Sequence, residues 1–210
     1  SAFYYDYEDL QVSSYEGTKS ITTNAATSEV YGAELTVNHN VSEQLTVTFG
    51  LAVNHGRYDE YLQAPANQYD YVLDGADTAG VPNGGATDGS GDNRPVDVTG
   101  NNMIRSPDVT GNLALDYNMP FAGGQLNFYG NLYYSSKVYF DAANNNEMDA
   151  FHQLNLRAIW MPNDAQYTVA LFLNNATDEE VITQVLPNGI GTGVSWSPPR
   201  TLGVNFTYGF

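Results

Sequence analysis

The densest group of side chains able to do chemistry lies between Leu62 and Asn101. Asp70, Asp74, Asp77, Asp88, Asp92 and Asp97 are interleaved there with Gly75, Gly84, Gly85, Gly89 and Gly91. Carboxylate oxygens on a glycine-punctuated loop can enclose Ca²⁺, a hard cation that prefers oxygen ligands. Their spacing lacks the alternating ligands and terminal Glu of an EF-hand. The segment therefore reads as a solvated loop, with Ca²⁺ kept as an alternative. His39, His55 and His152 sit on a turn and two strand ends without an i,i+2 or i,i+4 partner, which argues against a histidine metal site. Cysteine is absent, which removes disulfides, thiolate nucleophiles and Cys-ligated metals. No Gly-x-Ser-x-Gly elbow, phosphate-cradling loop with a Lys, or carboxylate pair with a matching base occurs. The run Gly189-Ile-Gly191-Thr-Gly193 has no helix after it to receive a phosphate. Catalysis has no support, and no metal or cofactor is expected. A net charge of −17, from 24 acidic and 7 basic side chains, also excludes nucleic acid as a partner.

Without catalysis, the remaining chemistry is recognition. Tyr69, Tyr71, Tyr139, Phe140 and Trp196 offer stacking surfaces, and what positions them is a series of strands. From Leu202 to Phe210 the chain alternates without a break. Leu202, Val204, Phe206, Tyr208 and Phe210 fall on one face, and Gly203, Asn205, Thr207 and Gly209 on the other. A strict period of two is a strand with one apolar and one polar face. Clear alternation also runs through Leu45–Val53, Leu126–Tyr134, Leu154–Trp160 and Tyr167–Leu173, with weaker versions through Ala33–Val37 and Val109–Tyr117. In the first segment Phe3, Tyr5 and Tyr7 share a face before the phase changes, which predicts a bulge near Glu8 or Asp9.

Each segment has about the nine to eleven residues that a tilted strand needs to cross a bilayer. Short connections at His39–Gln44, Met119–Gly124 and Met161–Ala165 alternate with long ones. The long ones are expected as outer loops at about 13–27, 62–101, 141–150 and 184–197. Tight turns at one end and long loops at the other mark bacterial outer-membrane barrels. Sixteen Tyr with only 15% charged residues suit a membrane–water boundary. Tyr117, Trp160, Tyr167, Tyr208 and Phe210 would form the periplasmic girdle, and Tyr58, Tyr61, Tyr134, Tyr139 and Trp196 the outer one. The polar set Glu34, Thr46, Thr48, Gly50, Asn112, Asp116, Asn127, Asn131, Asn155, Arg157, Thr168, Asn205 and Thr207 would face inward. Most of these are small, which fits a wide, wet or filled lumen better than a narrow packed one.

Four stretches carry a family resemblance. Asn24-Ala-Ala-Thr-Ser-Glu29-Val-Tyr-Gly32-Ala-Glu34 is similar to an N-x-x-x-S-x-x-x-G-x-E signature. Gly100-Asn-Asn-Met-Ile-Arg105-Ser-Pro107 is similar to a stretch that re-enters a barrel after a long loop. Leu171-Phe-Leu-Asn174-Asn-Ala-Thr-Asp178 resembles L-x-V-x-N-L-x-D, with Ala176-Thr177 where one Leu is usual. Pro199-Arg200 and the terminal strand match P-R-x-x-G-V-x-x-x-Y-x-F. In this order and spacing they resemble the carboxyl-terminal part of TonB-dependent outer-membrane receptors. The resemblance implies an all-β, antiparallel transmembrane barrel. Residues 1–210 would carry the last eight strands of an up-and-down barrel of about 22 strands, with plug domain and earlier strands absent. It implies a Gram-negative outer-membrane location and energised uptake of a bulky nutrient such as a siderophore, cobalamin or glycan. Implied partners are membrane lipid, the protein's own amino-terminal plug, the TonB complex acting through that plug, the barrel-assembly machinery reading the last strand, and the ligand. The chain begins at Ser1 without an initiator Met, so either a leader has been removed or the sequence is a piece of a longer one. An independent eight-stranded outer-membrane barrel with a structural or adhesive role is the alternative, and a secreted soluble β domain a third.

Overall fold

In a computed structural model, which describes residues 1–16, 19–62, 64–65, 95–164, 166–188 and 191–209, every regular element is a strand. Among these residues no helix is long and apolar enough to cross a membrane, which says nothing about crossing by strands. The chain runs β1 (Ala2–Glu16), β2 (Lys19–Asn40), β3 (Leu45–Glu60), β4 (Ala64–Pro65), β5 (Pro95–Val96), β6 (Val109–Phe121) and β7 (Gly124–Ser135). It continues through β8 (Val138–Tyr139), β9 (Glu147–Met148), β10 (Phe151–Pro162), β11 (Tyr167–Asn174), β12 (Ile182–Asn188), β13 (Gly191–Trp196) and β14 (Thr201–Tyr208).

One eight-stranded antiparallel meander, ordered β1-β2-β3-β6-β7-β10-β11-β14, carries the molecule. It is open: β1 and β14 are its edges, and no pairing between them occurs among the described residues. A closed eight-stranded barrel is therefore not what these strands form. A long unpaired edge is a template for another strand, which suits a sheet that continues in further strands.

Register confirms the two faces. Asn40, Thr46, Asp116, Tyr129, Arg157, Phe172 and Gly203 lie side by side in one row across seven strands. The next row, turned to the other face, is His39, Val47, Leu115, Gly130, Leu156, Leu173 and Leu202. On the apolar face Leu202, Val204, Phe206 and Tyr208 are 76, 66, 64 and 52% exposed, and Leu35, Leu115, Phe128 and Leu171 are exposed too. So continuous an apolar face would aggregate in water, but it suits lipid. The polar face is laced with side-chain hydrogen bonds. Thr46 Oγ1 donates to Asn40 Oδ1 (2.9 Å), Thr48 Oγ1 to Asn38 Oδ1 (2.7 Å), and Asn131 to Asn112.

The tight turns follow from local chemistry. Ala122 and Gly123 both have positive φ (46° and 70°), the two-residue hairpin geometry that matches strand twist. In the 41–44 turn, Ser42 Oγ accepts from the amides of Gln44 and Leu45, each at 3.1 Å. The bulge expected near Glu8 or Asp9 is present. Register shifts between Tyr7 and Leu10, and Asp9 has φ 57°.

The long connections are themselves built partly of strand, and two tyrosines at this end are placed differently from expectation. The 13–27 connection is built as a strand hairpin, with β1 and β2 paired to Glu16↔Lys19. β2 alone has 22 residues, roughly 70 Å at about 3.3 Å per residue, so its outer half rises well beyond a bilayer. Residues 184–197 likewise contain the β12–β13 hairpin. Tyr58 and Tyr61 are 2% and 1% exposed and cannot serve as headgroup residues. They belong to a buried cluster with Ala26, Ala64, Val96 and Val98 that Leu10, Met103, Ala142 and Ala143 cover. Toward the same end of the apolar face Tyr4, Tyr31 and His55 form a ring run instead, 6.5 and 4.7 Å apart. At the short-turn end Trp160, Tyr167 and Phe206 form a run with centroids 6.1 and 5.6 Å apart, as the alternation predicts.

Candidate functional site

The polar groups of the outer end are spent on fixing connections between strands, and two stations do most of it. The first ties the top of β3 to the segment that re-enters the sheet before β6. Met103 N donates to Gly56 O (3.0 Å), Asn54 Nδ2 to Ser106 Oγ (2.7 Å), and Arg57 Nη1 to Asp108 Oδ1 (3.1 Å). Asn102 and Asn144 exchange amide–backbone hydrogen bonds of 2.9 and 3.0 Å, and Asn101 Nδ2 donates to Ala142 O (2.9 Å). Arg105, at φ 54°, donates its amide to Tyr139 O (2.8 Å) and leaves its side chain exposed. Pro107 follows within the same segment. Above it Asp141 accepts from the amides of Asn145 and Asn146 (3.1 and 2.6 Å), which closes the turn carrying Tyr139 and Phe140.

The second station joins β11 to β14. Asn175, 4% exposed and at φ 49°, donates its amide to Asn155 Oδ1 (2.9 Å) and Nδ2 to Glu179 O (2.8 Å). Its Oδ1 accepts from Glu179 N (2.9 Å). Asp178, at φ 59°, accepts from the Arg200 amide (3.0 Å) and from Arg200 Nη2 (3.1 Å). Asp178, Pro199 and Arg200, singled out as separate motifs, are thus one clamp at the outer end of the last strand pair, where Asn174 faces Thr201. Asn175 is its buried centre, and sequence reasoning passed over it. The signal present was an Asn–x–x–Asp turn pattern.

The remaining motif residues lie on β2. Gly32 is required by close approach, since a Cβ there would overlap the Val53 carbonyl and the Phe3 ring lying across it. Glu34, two residues on and on the same face, accepts from Ser1 Oγ (3.2 Å). Glu29 faces the other way, opposite Asp6 and Arg57.

Electrostatic shifts concentrate at this outer end. Burial pushes the Tyr61 hydroxyl up to about 12, with Tyr58 beside it adding to the effect. Its hydrogen bond to Glu147 holds Lys137 above the ordinary lysine range, with Asp149 contributing at 3.4 Å. Thr99 caps Asp97 and keeps that carboxyl below its usual value.

Of the aromatics expected to stack on a ligand, Tyr139 and Phe140 are half-buried at the β8 turn, and Trp196 is 55% exposed on β13. No ring contact joins them. Tyr69, Tyr71 and the carboxylates of Asp70, Asp74, Asp77, Asp88 and Asp92 lie outside the described residues, as does Phe210. Among the described residues no group of three His, Asp or Glu could hold a metal ion.

Comparison with known proteins agrees with this architecture. A family model described as TonB dependent receptor-like, beta-barrel matches residues 1–176. No curated protein matches the chain by sequence. Among solved structures it is similar to the ferric yersiniabactin uptake receptor FyuA from Yersinia pestis (TM-score 0.72, 15% identity, 98% of this chain and 26% of that one). It is also similar to the siderophore receptor PiuA from Acinetobacter baumannii (0.67, 17%, 98% and 24%). The ferric preacinetobactin receptor BauA from the same organism is a third (0.62, 15%, 99% and 26%). The chain spans about a quarter of the length of each.

Proposed function

Because the chain belongs to the TonB-dependent receptor β-barrel family, we propose that it is the carboxyl-terminal part of an outer-membrane receptor that takes up a bulky nutrient. The family is one of transport receptors, not enzymes. One observation carries the proposal. The eight strands form an open sheet, lipid-fit on one face and polar on the other, with its tall hairpins and buried loop cluster all at one end. Such a wall encloses a wide aqueous lumen only when further strands complete it. Ligand capture then falls to the outer end, where Tyr139, Phe140 and Trp196, with Tyr69 and Tyr71, are the stacking surfaces. Gradient-driven import would work through a plug domain and the TonB complex, and the last strand, Leu202 to Phe210, would be read by the assembly machinery.

The nutrient classes in view are siderophores, cobalamin and glycans. Ferric chelates come first for testing, because the similar structures are described as siderophore and ferric-complex receptors. Uptake of radiolabelled ferric siderophores, cobalamin and oligosaccharides should be compared in cells with and without the full-length protein. Loss of one energy-dependent uptake on deletion is expected. Unchanged uptake of all three classes would remove the transport assignment.

A further inference from the structure

Arg157 is the only base among the described side chains on the inner face of the strands that cross the membrane. It is exposed, and it makes no hydrogen bond or ion pair with any described residue. The carboxylate in its row, Asp116, lies two strands away, about 10 Å at strand spacing, with Tyr129 between. That separation exceeds the Debye length of about 8 Å in physiological salt, so a wet lumen screens the pair. Asp116 is also already engaged, accepting from Asn118 Nδ2 (2.9 Å) and Asn127 Nδ2 (2.7 Å). The guanidinium is therefore an uncompensated cation on an acidic chain.

Its surroundings form a recess of about 390 Å³ lined by Tyr129, Asn155, Phe172, Asn174 and Asn205. Tyr129 and Phe172 are its register neighbours on either side. Phe172 does not fold over it. The ring lies across β14 at Gly203, where any Cβ would overlap it. The missing side chain at Gly203 thus draws Phe172 aside and leaves the guanidinium fork open to the lumen. Five donors in a planar fork match a carboxylate bidentately, and the flanking amides supply further donors.

We propose that Arg157, with Tyr129, Phe172 and Asn155, forms a carboxylate site inside the barrel. The carboxylate comes either from an acidic side chain of polypeptide within the lumen or from a carboxylated solute in transit. The site rests on the inner face being the lumen. The test uses the full-length protein in outer-membrane vesicles treated with phenylglyoxal, with modification of Arg157 read by mass spectrometry against the exposed Arg105. An internal carboxylate protects Arg157 about tenfold or more, the ratio one charge-assisted hydrogen bond supplies. Arg157→Gln then lowers thermal stability more than Arg157→Lys does. A solute site instead reacts as fast as Arg105 and is protected about tenfold by millimolar citrate, a protection that Arg157→Lys retains against acetylation in part. Free reaction without citrate protection overturns the proposal. So does protection accompanied by equal stability losses in the Gln and Lys variants, which is plain occlusion. Labelling Asn155→Cys and Leu156→Cys with a water-soluble maleimide separates the two levels. If Leu156→Cys labels and Asn155→Cys does not, the assignment of the lumen has failed, not the site chemistry.

Discussion

Leu156 and Arg157 are neighbours on β10 that the register turns to opposite faces. Nature has thus placed an arginine on one face, and Leu156→Arg would place one on the other. Leu156 lies six positions from Pro162 at the short-turn end of β10. At about 3.3 Å per residue and a tilt near 40° it stands roughly 15 Å above that end. That is the middle of an apolar band about 25 Å tall, too deep for a guanidinium to reach either interface comfortably. An arginine on the lipid face at this depth costs about 2–4 kcal/mol, equivalent to roughly 30- to 700-fold in the folding equilibrium at 1.4 kcal/mol per tenfold. Gln153→Arg, three positions along the same strand and facing inward, should cost under about 1 kcal/mol. Urea unfolding of the full-length protein from phospholipid vesicles, followed by tryptophan fluorescence, measures both. Equal costs, or a larger cost for Gln153→Arg, would refute the face assignment.

Three further outcomes are expected. Asn175→Ala removes a buried amide with several partners and puts a Cβ-branched-free but still L-residue at φ 49°. It should cost about 2–4 kcal/mol by the same unfolding assay, whereas Asp178→Ala, which breaks a half-exposed pair, should cost about 1 kcal/mol. Tyr61 should be the last tyrosine to ionise in a spectrophotometric titration, near 12, and Tyr61→Phe should delete that step while leaving the fold intact. The sign follows from its raised value. The folded state keeps this proton where the unfolded chain loses it near 10, so the loop cluster is fully supported below about pH 10 and loses this contribution as pH rises through 12. Hydrogen exchange of residues 56–64 against pH would show the loss.

The faces of this sheet are legible because a period of two turns every second residue the same way. The faces of Leu202 to Tyr208 and of Thr46, Asp116, Tyr129, Arg157, Phe172 and Gly203 follow from alternation, whereas Asn40 reads as part of a turn and only the register sets these residues in one row. The bulge at Asp9 is equally legible as a change of phase between Tyr7 and Leu10. The outer end is less so. Residues 13–27 look like a polar loop, yet Val12, Ile21, Thr22 and Thr23 favour strand, and pairing to the opposite arm decides the outcome. Tyr58 and Tyr61 sit where a girdle belongs by counting, and only the segment that folds over them, from Val96 to Met103, makes them core. Asp178 and Arg200 were each visible as motif residues, but a pairing across 22 positions is not written in local sequence. Asn175 shows the same limit, since its importance lies in a backbone angle and in Asn155, twenty residues earlier.

The central claim is that β14 and its neighbours stand in a bilayer with one face to lipid and one to a water-filled lumen. The chain has no cysteine, so single cysteines at each position from 202 to 208 can carry a spin label in the full-length protein reconstituted in vesicles. Relaxation by dissolved oxygen should peak at 202, 204, 206 and 208, and relaxation by a water-soluble nickel complex at 203, 205 and 207. Labels that respond alike at all seven positions, or an alternation of opposite phase, would contradict it.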